Sequence, residues 1–163
     1  IYRDVRFSHD KRPYKEWFGV YIAPKSGRKS DRGGYYVHLQ PGQCMFAGGM
    51  WCPNKDLLHA VRREILANYD EVEEIFANPL TNKYFQDFDS EQMLKKVPQG
   101  FPVDFVHVDW LKRKAFTFST SLTDKEVCAP SFLDQVMEMT RASKPINDFL
   151  NYTFEEYGEF PDR

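Results

Sequence analysis

The residues best suited to chemistry open the chain. Arg3-Asp4-Val5-Arg6-Phe7-Ser8-His9-Asp10-Lys11-Arg12-Pro13-Tyr14 places four bases and two acids within twelve positions. Guanidinium and ammonium groups bind carboxylate or phosphate, and Asp4 and Asp10 can orient Arg3, Arg6 and Lys11 for that task, with Tyr14 as a further hydroxyl. The same set can instead form an arginine–aspartate network that pins the segment to a sheet, because such networks need no ligand. Residue types alone leave both readings open.

A second set stands at strand spacing. Tyr36, His38 and Gln40 alternate with Tyr35, Val37 and Leu39, so a strand here presents one polar and one apolar face. His38 is suited to general acid or base chemistry if that face lines a cleft, with Tyr21 of a neighbouring strand beside it. A solvent-facing strand side is the plainer reading. A third set is the loop of Lys25, Arg28, Lys29 and Arg32 with Ser26 and Ser30, able to hold phosphates but equally suited to a solvated loop. His9, His59 and His107 lack the spacing of ligand pairs, and Cys44, Cys52 and Cys128 form no short-spaced pair, so no metal is expected. No Gly-Lys-Ser/Thr follows a glycine-rich loop and no Gly-x-Ser-x-Gly is present, so no cofactor is expected either.

The elements that must position these residues follow from periodicity and breakers. Strands are predicted over 17–23, 35–40 and 44–51, with Gly33-Gly34 and Pro41-Gly42 as turns that make them antiparallel hairpins. Gly48-Gly49 inside the third predicts a bulge or a close approach of backbone or ligand. Asn54 predicts an N-cap for a helix carrying Leu57, Leu58, Val61, Ile65 and Leu66, broken at Asn68. Asp70 is expected to cap a second helix that Pro79 stops, with a further turn over 81–88. A short strand over 93–97, a helix over 108–114 and a strand over 115–122 come next. Two final helices are expected, one from Pro130 and one from Lys144-Pro145. Strands first and helices in runs predict an α+β fold, an antiparallel sheet built from hairpins and covered by helices.

The opening run resembles the signature of the domain of unknown function 2461 family, in which Arg3, Asp4, Arg6, Phe7, Asp10, Lys11, Pro13 and Tyr14 match. The likeness continues through Gly34 to Leu39, Gly48-Gly49, Gly100-Phe101 and Lys112 to Lys114. It implies an α+β domain with no known activity. It also implies that residues 1–163 are a single domain trimmed from a longer chain, without the family's N-terminal helical part.

Composition bounds the rest. In 163 residues, 42% hydrophobic and 16% aromatic, a core forms without disulfides or metal. The formal net charge of -2 gives no global attraction to nucleic acid. No apolar run is long enough to span a membrane. Three unpaired thiols predict an intracellular setting, cytoplasmic or nuclear, with the cysteines mostly buried. The function expected is a binding module for an anionic small molecule or phosphorylated partner through a basic polar cleft. The alternatives are an enzyme using His38 or Tyr36 beside an arginine pocket, and a scaffold domain of a larger protein.

Overall fold

The structure is a computed structural model that describes residues 2, 6, 7, 9, 11–23 and 31–156. Its sheet has four antiparallel strands in the order β1 (Phe18–Ile22), β2 (Gly34–Leu39), β3 (Cys44–Met50) and β4 (Phe116–Leu122). Register pairs Val20 with Val37, Val37 with Phe46, and Phe46 with Thr120. Side chains alternate across a strand, so this row belongs to one face, and the rows through Cys44–Leu122, Gly48–Phe118 and Met50–Phe116 belong to the same face. Val37, Cys44, Phe46, Met50, Phe116, Phe118 and Leu122 are all buried there.

Helices cover that face. α1 (Lys55–Ala67) begins where the Asn54 side chain accepts from the backbone N–H of Asp56 and Leu57, 3.0 Å each. Leu57, Val61 and Ile65, one helical turn apart, are fully buried in the same core. α2 (Tyr69–Ala77), α3 (Pro79–Tyr84), α4 (Val108–Lys112) and α5 (Asp124–Val127) are short, and α6 (Phe132–Glu156) is the longest. α6 lays Met139, Ala142, Ile146, Phe149 and Leu150 into the same core. Its Asn147 and Asn151, also one turn apart, donate to the carbonyls of Gly34 and Gly33, and Asn151 accepts from Gly33 N–H. The entry to β2 is thereby fixed to the longest helix.

The α+β arrangement is as the sequence predicts, and several local expectations are corrected. The single helix α6 replaces the two expected around Lys144-Pro145, with Pro145 inside it. Proline removes one helical hydrogen bond and crowds the preceding turn. Here Thr81 of α3 donates to the Ala142 carbonyl at 2.7 Å, beside that weakened turn, and the buried stripe continues past it. α2 starts after Asn68 rather than at Asp70, which sits in its first turn where a negative charge suits the helix dipole. α2 ends just before Pro79, as expected, and the same proline opens α3 at its first position. The strand expected over 93–97 is a single bridge from Met93 to Arg113. α4 ends at Lys112 and β4 begins at Phe116, so the partner stretch is too short for a ladder. Cys52 and Cys128 are exposed and only Cys44 is buried; all three are free thiols. The Gly48-Gly49 close approach is internal: a Cβ on Gly48 would meet the Phe118 ring at 2.4 Å, and one on Gly49, at φ +96, the Phe116 carbonyl oxygen at 2.1 Å. Among the described residues no helix is long and apolar enough to cross a membrane.

Candidate functional site

The sheet's other face lies outside the core. Tyr36, His38 and Gln40 point there, half-buried, and Ser119 and Ser121 of β4 are exposed on it. Tyr36 and His38 of β2 and Gln40, the residue just after it, are joined in a hydrogen-bonded ladder. Tyr36 Oη lies 2.9 Å from His38 Nδ1, and His38 Nε2 lies 3.1 Å from Gln40 Oε1. A carbonyl oxygen only accepts, so Nε2 carries the hydrogen and donates to Gln40. In the neutral ring Nδ1 is then the acceptor for the Tyr36 hydroxyl. Trp17, which precedes β1, stacks on the His38 ring with centroids 5.4 Å apart and planes 24° apart.

Local sequence explains why the ladder forms. Residues i, i+2 and i+4 of a strand share a face, so the three side chains stand in a row. Tyr36 leans across to β1, where Gly19 is paired with His38. A Cβ on Gly19 would come within 2.7 Å of the Tyr36 ring and of its hydroxyl. Only a residue without a side chain lets the ring lie there. Tyr21 does the converse, its hydroxyl reaching over Gly34 of β2. Burial pushes the Tyr21 phenol above its ordinary value, which keeps it a neutral hydroxyl.

The remaining candidates divide. Tyr36 and His38 are brought together as a bonded pair. Arg3 and Asp4 lie outside the described residues, as do Lys25, Arg28 and Lys29 of the basic loop. Arg6 holds its guanidinium 5.9 Å from the centre of the Phe7 ring, and Lys11 is exposed. Tyr14 stacks on Tyr2 at 5.4 Å, across an antiparallel bridge between the two. Arg32 pairs with Glu155 of α6 at 2.7 Å and covers the Phe154 ring, so it serves the α6 contact.

Residue types did not reveal a second polar network, between α1, the C-terminal end of α4 and the loop after α3. Arg113, 3% exposed, donates to Asp87 Oδ2 at 3.0 Å and to the Asp89 carbonyl. Asp87 Oδ1 accepts from Trp110 Nε1 at 2.7 Å, and buried Arg62 donates to the Arg113 carbonyl at 2.6 Å. Desolvation lowers the Arg62 guanidinium from its ordinary value. Partners 23 to 51 positions apart leave no short-range pattern to read. His107 is similarly hidden from the sequence: its ring stacks on Trp110 at 3.9 Å and its Nε2 bonds Glu73 at 2.6 Å. Among the described residues no three histidine, cysteine or carboxylate side chains gather as a metal site would require.

In comparisons with known proteins, the model of a family described as "Conserved hypothetical protein (DUF2461)" matches residues 1–149. No curated protein and no solved structure matches.

Proposed function

The chain belongs to the DUF2461 family of conserved hypothetical proteins, and we propose that it is a binding module for an anionic ligand, seated on the open sheet face. The observation that carries this reading is the Tyr36–His38–Gln40 ladder under Trp17, a row of polar groups held in fixed directions outside the core. Once its carbonyl is used by His38, Gln40 still has its amide N–H groups to donate, and donors suit carboxylate or phosphate oxygens. The segment carrying Lys11 to Tyr14 runs into Trp17, so it enters β1 at the His38 end of this face. Arg3, Arg6 and Lys11 complete the site in this proposal, with Asp4 orienting them and Tyr14 supporting the segment.

Binding fits this geometry better than catalysis. Both ring nitrogens of His38 are occupied by its own strand, and acid–base work on a substrate requires one of them. An intracellular setting agrees with three free thiols, two of them exposed.

The test is thermal unfolding with sulfate against chloride at matched ionic strength. Sulfate bound to the folded state raises the melting temperature by mass action. Its general stabilising effect by surface exclusion acts on any variant. The excess over chloride is therefore expected to shrink in both His38→Gln and Arg6→Ala. An equal sulfate response in wild type and both variants would refute the site.

A further inference from the structure

We infer that anion binding at this face is coupled to uptake of one proton by His38, which reverses the Tyr36–His38 hydrogen bond and turns the Tyr36 hydroxyl hydrogen outward. This rests on the reading of the open face as an anion site. In the neutral state the ladder runs one way. Tyr36 O–H donates to Nδ1, and Nε2–H donates to Gln40 Oε1. The Tyr36 hydrogen is then turned inward and unavailable to a ligand.

An imidazolium ring carries hydrogens on both nitrogens and accepts on neither. Nε2–H keeps its bond to Gln40 unchanged. Nδ1–H must now donate, and among the described residues its partner is Tyr36 Oη, 2.9 Å away. Tyr36 has to become the acceptor, and its own O–H rotates off the ring nitrogen. The face thereby gains an outward hydroxyl donor next to a positive ring, while no heavy atom need move. Both changes favour an anion.

The surroundings of His38 leave this exchange unopposed. On its own strand it meets Tyr36 and Gln40; from the β1 side it meets the Trp17 ring and the backbone of Gly19; on β3 its paired residue is Met45. The titratable neighbours on this face are the phenols of Tyr36 and Tyr21 and, across β3, the Asp89 carboxylate, which accepts from Ser119 at 2.9 Å and does not bond the His38 ring. No carboxylate, ammonium or guanidinium bonds the His38 ring among the described residues. Among the described residues the Trp17 π-face is what stacks on the ring, so most of the charge of the protonated ring is left for a ligand to balance. His107 differs: its Nε2 already meets the Glu73 carboxylate within the protein.

The test has a ligand-free and a ligand-bound arm. Nitrogen NMR of the His38 ring, assigned by comparison with His38→Gln, is expected to show the Nε2–H tautomer at alkaline pH. A dominant Nδ1–H tautomer would overturn the inference with no ligand involved. Sulfate, whose charge is constant over the range, is then titrated between about pH 5 and about pH 8, where imidazole titrates. Where the ring is neutral in the free protein, one linked proton makes the affinity fall by about tenfold per pH unit. His38→Gln is expected to flatten this dependence, and Tyr36→Phe to weaken binding at the acid end more than at the alkaline end. Sulfate affinity that is measurable but independent of pH would overturn the proton coupling and leave the anion site standing. Absence of sulfate binding at every pH would overturn both.

Discussion

Two polar networks in this molecule use similar groups to opposite ends. The Arg113–Asp87–Trp110 network joins the end of α4 to the loop after α3, around an arginine that is 3% exposed. The hydrogen bonds of the Tyr36–His38–Gln40 ladder join alternate positions along one stretch of chain and lie outside the core. A buried charge is tolerable only while its partners hold it, so the first network is an obligation of the fold. The ladder could be lost and β2 would keep its pairing. Polar groups that the fold does not need, held in fixed directions on an open face, are the better candidates for binding.

The comparison breaks if removing either network costs the same. Asp87→Ala strands the Arg113 charge and leaves Trp110 Nε1 without its acceptor. The expected loss is about 3 kcal/mol of unfolding free energy by urea denaturation, the lower end of the range for a broken buried pair because Asp87 is itself half-exposed. Gly19→Ala probes the ladder. The new methyl group displaces the end of a side chain rather than backbone, so a cost of about 1 kcal/mol or less is expected. Even so, Tyr36 is driven off His38, and the His38 ring nitrogen signals should move although stability barely does. His38→Gln should change stability by about 0.5 kcal/mol or less. A loss comparable with that of Asp87→Ala would make the ladder a structural pin after all.

The smallest expected effect concerns an exposed local network. The Glu126 carboxylate accepts from the Thr123 hydroxyl and N–H and from Gln135, which pulls its pKa down to about 2. A depressed carboxyl contributes stability that is fully present above its ordinary value of 4.5 and is lost as pH falls through about 2. NMR titration of the Glu126 carboxyl should give that low midpoint, and Thr123→Ala should move it back toward the ordinary value. An unchanged midpoint would show that the backbone N–H of residue 123 and Gln135 set it without the hydroxyl.

Legibility in the sequence followed the range of each interaction. Alternation over Tyr35 to Gln40, the turn at Pro41-Gly42 and the cap at Asn54 are local, and each has its predicted place in the structure. The Thr123–Glu126 capping box is equally local; a threonine three positions before a glutamate was there to be read, and the expectation for this stretch overlooked it. Lys144-Pro145 misled, because proline is a breaker only where nothing outside the helix compensates. Here the buried stripe of Ala142, Ile146, Phe149 and Leu150 runs across Pro145, and Thr81, 61 positions away from Ala142, bonds the carbonyl next to the one that Pro145 leaves without its helical donor.

By itself, then, the sequence determined the hairpins, the main helices and the common face of Tyr36, His38 and Gln40. Strand and helix periods are set by covalent geometry, and a reader needs only neighbouring residues to apply them. Only the tertiary structure decided which sheet face the helices cover, that Tyr36 lies over Gly19, and that Arg113 must find Asp87. Those outcomes depend on chain segments that meet only after the loops between them close, and no spacing rule encodes which distant side chain will be waiting there.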